Sequence, residues 1–210
     1  NEDIKRNLRE YYNTYVEQRD NAEKQNWKII ERAQFLHYLQ KNQCMTLLEL
    51  GAGTGKDSLF FKNNGFTVTA IDLSENHIKK CQKKGLNAFC LDIYCIDEKF
   101  QESQFDSIYS LNMLLHIPKK DLHDTFVKIK RVLKKEGLFY IGVYGGKNVE
   151  KEFIQDDGIH KRFFSFYEFN DYLEIVQKHF NVEYSNIIHK KTEFEYHSFI
   201  LRKMATIQRQ

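Results

Sequence analysis

The sequence is notable first for what is missing from it. No apolar run approaches the ~18 residues of a membrane-spanning helix, and no secretory signal segment is present, so we expect no membrane association and a cytoplasmic location. Cys44, Cys81, Cys90 and Cys95 form no Cys-x-x-Cys pair and no zinc-like spacing, which predicts reduced, partly buried thiols and no metal. Lysines and acids are interspersed, the net charge is only +3, and no sustained basic face could track a nucleic-acid backbone. There is one proline, Pro118, placed where the first turn of a helix tolerates it. The chain opens on Asn1 rather than methionine, so we expect a few native residues ahead of it.

What is present suits one large α/β domain. The 210 residues are 41% hydrophobic and 29% charged, ordinary values for a folded protein able to bury a full core. Ile4, Leu8, Tyr11 and Tyr15 form one stripe of a first helix, and Ile29, Ala33 and Leu36 mark a second over Trp27 to Gln40. The period then shortens. Apolar runs near 46–50, 66–72, 86–91, 105–111 and 137–144 alternate with polar helical stretches, the pattern of a parallel sheet covered on both faces. The clearest crossover helix spans Lys119 to Leu133, with Leu122, Phe126, Ile129 and Leu133 on one face. Ser165 is placed to cap a helix of Phe166 to Lys178. Two last runs, Phe180 to Ile188 and Phe194 to Leu201, are joined too closely for a parallel crossover, so they should pair antiparallel.

The most informative segment is Leu47-Leu48-Glu49-Leu50-Gly51-Ala52-Gly53-Thr54-Gly55-Lys56-Asp57. A buried strand ends in an acid, three glycines alternate, and a helix of about Lys56 to Asn64 follows. Such a turn lets backbone approach a bound nucleoside, because a side chain at a glycine would forbid the turn or fill the ligand's space. The third glycine comes one residue too early for the dinucleotide fingerprint. The pattern Glu-x-Gly-x-Gly-x-Gly resembles motif I of the class I S-adenosylmethionine-dependent methyltransferases, and the resemblance extends over about residues 10 to 202. It implies a Rossmann-like three-layer sandwich, with a seven-stranded, mostly parallel sheet and an antiparallel C-terminal strand. The organisation expected is a single methyltransferase domain with an N-terminal helical cap at 1–42, a core at 43–202 and a tail at 203–210.

The resemblance implies S-adenosyl-L-methionine as cofactor, with Glu49, Gly51, Ala52, Gly53 and Gly55 around its amino-acid end. Asp72, closing the second strand, either accepts from the ribose hydroxyls or caps the helix after Ser74, and Leu73 can pack on the adenine. Asp92 is either an acceptor for the adenine amino group or a plain surface acid, while Leu91 and Ile93 can cover the ring. Asn112 and Met113 end the fourth strand, which passes beneath the sulfonium in this family. His116 matches a histidine often seen in small-molecule members; it is either a general base or a structurally satisfied imidazole. An N-terminal aromatic, Tyr15 among Tyr11, Tyr12 and Tyr15, is a further candidate for the cofactor. Gly145 to Phe164 reads as a long irregular loop. Tyr144 before it and Arg162 within it are candidate substrate contacts, Arg162 for an anionic acceptor. Tyr144-Gly145-Gly146 and Arg162-Phe163-Phe164-Ser165 are similar to uncharacterised bacterial members, which brings no known substrate.

The stretch Asn112-Met113-Leu114-Leu115 stands where amino-methylating DNA enzymes carry [Asp/Asn]-Pro-Pro-[Phe/Tyr] to grip a flipped base. The expected reaction is therefore methyl transfer to an O, N or S atom of a small molecule, by a monomer or homodimer, with nucleic acid an unfavoured partner. The alternatives are an RNA methyltransferase, a nicotinamide-dependent oxidoreductase or a non-catalytic cofactor-binding protein on the same fold.

Overall fold

A run of β-branched and aliphatic residues buried on both faces makes the central strands, and their order is that of a doubly wound sheet. The computed structural model describes residues 2–190 and 193–204; positions 205–210 of the expected tail lie outside them. The strands are β1 (Thr46–Leu50), β2 (Thr67–Asp72), β3 (Asn87–Cys90), β4 (Phe105–Leu111), β5 (Leu133–Gly145), β6 (Val149–Ile154), β7 (Lys161–Phe166), β8 (Phe180–Ile188) and β9 (Glu195–Lys203). Seven form one sheet in the order β3-β2-β1-β4-β5-β9-β8. The first five are parallel, and β9 inserts antiparallel between β5 and β8. The strand order reverses beside β1, so β1 and β4 diverge at their carboxyl ends and leave a crevice there.

The helices are α1 (Glu2–Thr14), α2 (Val16–Asn21), α3 (Asn26–Lys41), α4 (Lys56–Asn63), α5 (Glu75–Lys83), α6 (Ile96–Lys99), α7 (Leu122–Val132) and α8 (Phe169–Gln177). Phe126 and Ile129 of α7 with Tyr172 and Val176 of α8 cover one sheet face. Phe35 and Leu39 of α3 with Phe61 of α4 cover the other, against Leu47, Tyr109 and Tyr140. The expected N-terminal cap thus divides: α3 is a structural layer of the sandwich, while α1, with Arg19 of α2 and Lys24, lies across the crevice. The buried face of α3 is Lys28, Glu31, Phe35 and Leu39, not the stripe of Ile29, Ala33 and Leu36, and Ile29 is 42% exposed. Hydrophobic periodicity failed here because two charged residues are buried. Glu31 earns its place by accepting from Tyr184 (3.1 Å), Asn186 (2.8 Å) and Ser198.

Two further expectations are corrected. The segment Gly145 to Phe164 is not an irregular loop; β6 and β7 pair antiparallel as a separate two-stranded sheet. Its apolar alternation is short and partly interrupted by charge, but Phe153 of β6 meets Phe164 and Phe166 of β7 edge-on at 5.6 and 6.1 Å, the cross-strand contact that supports a hairpin. Ser165 and Phe166 belong to β7, where Ser165 pairs with Glu150. The last helix therefore starts later, at Phe169, and Ser165 is not its cap.

Candidate active site

The turn after β1 carries the left-handed backbone that the glycines allow: φ is +70° at Gly51, +54° at Gly53 and +81° at Gly55. The amides of Gly51 and Ala52 both donate to the Ile71 carbonyl at 2.9 Å, tying the turn to β2. A Cβ on Gly51 would stand 2.5 Å from the Met113 side chain, whereas one on Gly53 would meet nothing within 4 Å. Gly53 thus borders open space and Gly51 lets the end of β4 close in. Gly55 serves packing: a Cβ there would strike Leu86 and Cys81, and Gly55 is not a wall of the cavity that follows.

That cavity, about 280 Å³, sits over the carboxyl ends of β1, β2 and β4. Its walls include Glu49, Gly51, Ala52, Gly53, Asp72, Leu73, Leu91, Asp92, Ile93, Asn112, Met113 and His116, so the structure brings together twelve of the residues singled out from sequence. It adds Tyr12, Arg19, Lys24 and His77, none of which belongs to a glycine-turn motif. Tyr12 was visible only as one of a tyrosine triplet, and His77 was reachable only through its distance from Asp72 in the fold.

Asp72 organises the floor. One oxygen accepts from the Gly53 amide at 2.8 Å, and the other accepts from Ser74 N at 2.8 Å and faces His77 Nδ1 at 3.3 Å. Ser74, rather than Asp72, caps α5 by accepting from His77 N. Asp72 retains lone-pair sites for a diol, since a carboxylate has about four. Asp92 accepts from Tyr94 N at 3.0 Å and pairs with Lys5 of α1 at 2.8 Å. Behind the turn, Glu49 is buried and accepts from Ser58; burial, with the nearby Asp57 charge, raises its carboxyl well above the ordinary range. Asp57 itself is held by Lys24 (2.8 Å) and Arg32 (2.7 Å).

His116 is fixed on both nitrogens: Nδ1 lies 2.7 Å from the Phe163 carbonyl and Nε2 lies 2.7 Å from the Tyr12 hydroxyl. A carbonyl only accepts, so Nδ1 carries the hydrogen and Nε2 accepts from Tyr12. Burial pushes the His116 pKa down to about 3. The expected general base is therefore a neutral imidazole whose free lone pair already holds a phenol.

Three candidates lie elsewhere. Tyr15 donates to Asp157 at 2.5 Å and packs edge-on against His160; the tyrosine at the cavity is Tyr12, one turn after Leu8 and on the same face of α1 as Ile4 and Leu8, whereas α1 ends at Thr14 and Tyr15 stands at the start of α2. Arg162 donates to Gln155 at 2.6 Å, with its guanidinium over the rings of Tyr11 (4.5 Å) and Phe164 (4.9 Å), and it is absent from the cavity wall. Hairpin formation explains this, since pairing of Phe153 with Arg162 turns that side chain toward α1. Tyr144 packs with Trp27 and Tyr196 outside the cavity.

Two buried polar atoms of this wall, His77 Nε2 and Asn112 Oδ1, have no hydrogen-bond partner. A buried polar atom without a protein partner is left for a water or a ligand to satisfy. With the open space at Gly53 and the spare acceptor capacity of Asp72, they fit a nucleoside carrying hydroxyl and amino donors. No group of His, Cys, Asp and Glu among the described residues could hold a metal ion.

Fold and site together are those of a Rossmann-like three-layer sandwich with a cavity at the carboxyl ends of its central strands. Residues 48–141 match a family model described as a methyltransferase domain. Over 116 residues the chain is 33% identical to the Bacillus subtilis (strain 168) protein named "Putative methyltransferase YqeM", a match spanning 51% of this chain and 45% of that protein. The chain thus spans about half the length of the curated relatives it matches. In fold it is similar to the 1,6-didemethyltoxoflavin-N1-methyltransferase of Burkholderia thailandensis, solved with 1,6-didemethyltoxoflavin and S-adenosylhomocysteine. That comparison has a TM-score of 0.72 at 19% identity and covers 95% of this chain and 88% of that one. It is also similar to DhpI in its SAH complex, with a TM-score of 0.70 at 17% identity over 96% and 97% of the two chains.

Proposed function

We propose that the protein transfers the methyl group of S-adenosylmethionine to an O, N or S atom of a small molecule. The observation that carries this reading is the glycine turn locked to Asp72 at the head of a cavity that contains two unpartnered polar atoms. The matched methyltransferase segment and the structural relatives support it.

The cofactor supplies an already activated methyl group, so the protein has mainly to align two reactants and exclude water. Gly51, Ala52 and Gly53 would cradle the amino-acid end, with Asn112 Oδ1 as an acceptor for its ammonium. Asp72 and His77 Nε2 would take the ribose hydroxyls, and Leu73, Leu91 and Ile93 the adenine faces. Asp92 would accept from the adenine amino group beside its ion pair with Lys5. Helix α1 closes over the cavity through Ile4, Leu8 and Tyr12. At the acceptor end, the neutral His116 orients Tyr12, whose oxygen can accept a hydrogen bond from the acceptor.

No helix among the described residues is long and apolar enough to cross a membrane, and all four cysteines are free; both are compatible with the cytoplasmic location we propose. Calorimetry with S-adenosylhomocysteine and transfer of labelled methyl to small-molecule pools and to tRNA test the reading. Absence of S-adenosylhomocysteine binding would overturn it, and labelling of tRNA alone would replace its acceptor.

A further inference from the structure

Beside the cavity, three aromatic rings meet where α3 begins. Ring centroids lie 4.3 Å apart for Trp27 and Tyr196, 5.5 Å for Tyr144 and Tyr196, and 6.2 Å for Trp27 and Tyr144. Two ammonium groups stand over these rings. Lys28 Nζ is 4.9 Å from the Trp27 centroid, 5.1 Å from that of Tyr144 and 5.9 Å from that of Tyr196. Lys190 Nζ is 4.4 Å from Tyr144 and 5.4 Å from Trp27.

Lys28 is only 8% exposed, yet among the described residues neither its ammonium nor that of Lys190 has a hydrogen bond or a carboxylate partner. Lysines are almost never buried unpaired. Ring faces offset only part of the desolvation of a cation, and here two cations share the same two rings. The neighbouring Lys24 shows the contrast, because it is paired with Asp57. Burial and the charges of Lys24 and Lys190 push the Lys28 pKa down to about 7, the direction expected where a cation has no counter-charge. The cluster is short of a negative group.

Its position says which group could supply one. Asn112, in the cavity wall, donates from its backbone N–H to the Gly142 carbonyl at 2.7 Å. Tyr144 lies two residues further along the same strand, so the rings stand at the carboxyl end of β5, next to the end of β4 and outside the wall of the cavity. Arg19 and Lys24 line the cavity and act electrostatically on Lys28. Arg162, expected from sequence to hold an anionic acceptor, is committed to Tyr11, Phe164 and Gln155.

We propose that Lys28 and Lys190, over the faces of Trp27 and Tyr144, bind an oxyanion of the methyl acceptor, a carboxylate or a phosphate. The word acceptor rests on the methyltransferase reading above; the oxyanion site does not. An oxyanion between the two ammoniums converts their mutual repulsion into two charge-assisted hydrogen bonds. A cationic guest, which an aromatic box by itself would suit, meets two cations already on the rings.

Trp27 is the only tryptophan, so its emission reports this site alone. The protein, saturated with S-adenosylhomocysteine, is titrated with inorganic phosphate, with benzoate and with tetramethylammonium. A saturable change with phosphate or benzoate is expected and none with tetramethylammonium; the stronger of the two anions identifies the oxyanion. Lys28→Met and Lys190→Met should each weaken that titration about tenfold or more, while Lys28→Arg keeps it within a few-fold. Lys190 is only partly buried, so Lys190→Met reads the site even where Lys28→Met fails to fold. Saturation by tetramethylammonium, response to neither anion, or undiminished anion binding in Lys190→Met would overturn the inference. Calorimetry on the same samples separates the two readings: S-adenosylhomocysteine binding without anion binding defeats only the oxyanion site, and the reverse defeats only the cofactor assignment.

Discussion

The hydroxyl of Tyr12 donates to Nε2 of His116 across 2.7 Å, and the far nitrogen of that imidazole is anchored on the Phe163 carbonyl at the same distance. This chain of two hydrogen bonds joins the closing helix α1 to the end of β4 and to the hairpin strand β7. Both side chains line the cavity, and the phenol occupies the free lone pair of the imidazole; in the proposed reaction the phenol is therefore the group left to meet the acceptor. Tyr12→Phe should lower kcat by roughly 10²-fold, the scale of a lost proton-transfer or positioning partner, and leave S-adenosylhomocysteine affinity within a few-fold. His116→Gln should lower kcat less. A kcat unchanged in Tyr12→Phe would remove the phenol from the mechanism.

The same pair predicts a pH dependence of stability. The His116 pKa is about 3 in the folded protein against about 6.5 for an unperturbed imidazole. As pH falls below about 6.5 the unfolded chain takes up a proton that the folded chain refuses, so stability drops until pH reaches about 3 and is untouched above neutrality. The slope is at most about 1.4 kcal/mol per pH unit for one proton. Urea unfolding of wild type and His116→Gln between about pH 7 and pH 5 checks it. The variant should show a flatter decline, not a flat one, because His179 is lowered to about 4 by burial and acts with the same sign. Parallel curves would show that His116 titrates normally.

Cofactor affinity should depend on both members of the glycine–aspartate contact. Gly53→Val places a side chain in the open space beside the turn, at a φ of +54°, and should abolish S-adenosylhomocysteine binding. Asp72→Ala should weaken binding by about 1–3 kcal/mol. It should also loosen the turn, since the Gly53 and Ser74 amides lose their acceptor. Calorimetry decides both, and wild-type affinity in Gly53→Val would contradict the cradle.

Helix α1 and the β6–β7 hairpin are latched to each other by Tyr15–Asp157 (2.5 Å) and Asn7–Glu152 (2.8 Å). Three of these four groups come from polar positions that helix or strand periodicity alone would leave to solvent. Tyr15→Phe should speed amide exchange in both segments together, and S-adenosylhomocysteine should slow it in the wild type. Independent changes in the two segments would argue that they do not move as one cover.

Glu31 is a structural acid, 2% exposed, that gathers three donors from β8 and β9. Glu31→Leu should destabilise the protein by about 1–3 kcal/mol, because the Tyr184, Asn186 and Ser198 donors are left without their acceptor. Glu31→Gln, which keeps one acceptor oxygen, should cost less. Equal stability of wild type and Glu31→Leu in urea unfolding would refute the role.

Short-range pattern determined most of the scaffold. Alternating apolar runs and helical stretches implied the parallel sheet, a linker too short for a crossover implied the antiparallel β8–β9 pair, and Glu49 to Gly53 pointed to the turn that borders the cavity. These features were legible because each rests on local chemistry: glycine at positive φ, strand alternation, an acid at a strand end. Tertiary structure alone decided the rest. That Lys28 and Glu31 are buried, that Tyr12 rather than Tyr15 meets the cavity, and that Arg162 stacks on α1 all depend on which face an element turns toward distant partners. The hairpin from Val149 to Phe166 escaped notice because its aromatic residues find each other only across the two strands. The hydrogen bond of Tyr12 with His116, and the placing of Lys28 and Lys190 over the same two rings, bring together residues more than a hundred positions apart, and no local pattern encodes an arrangement made only when the sheet closes.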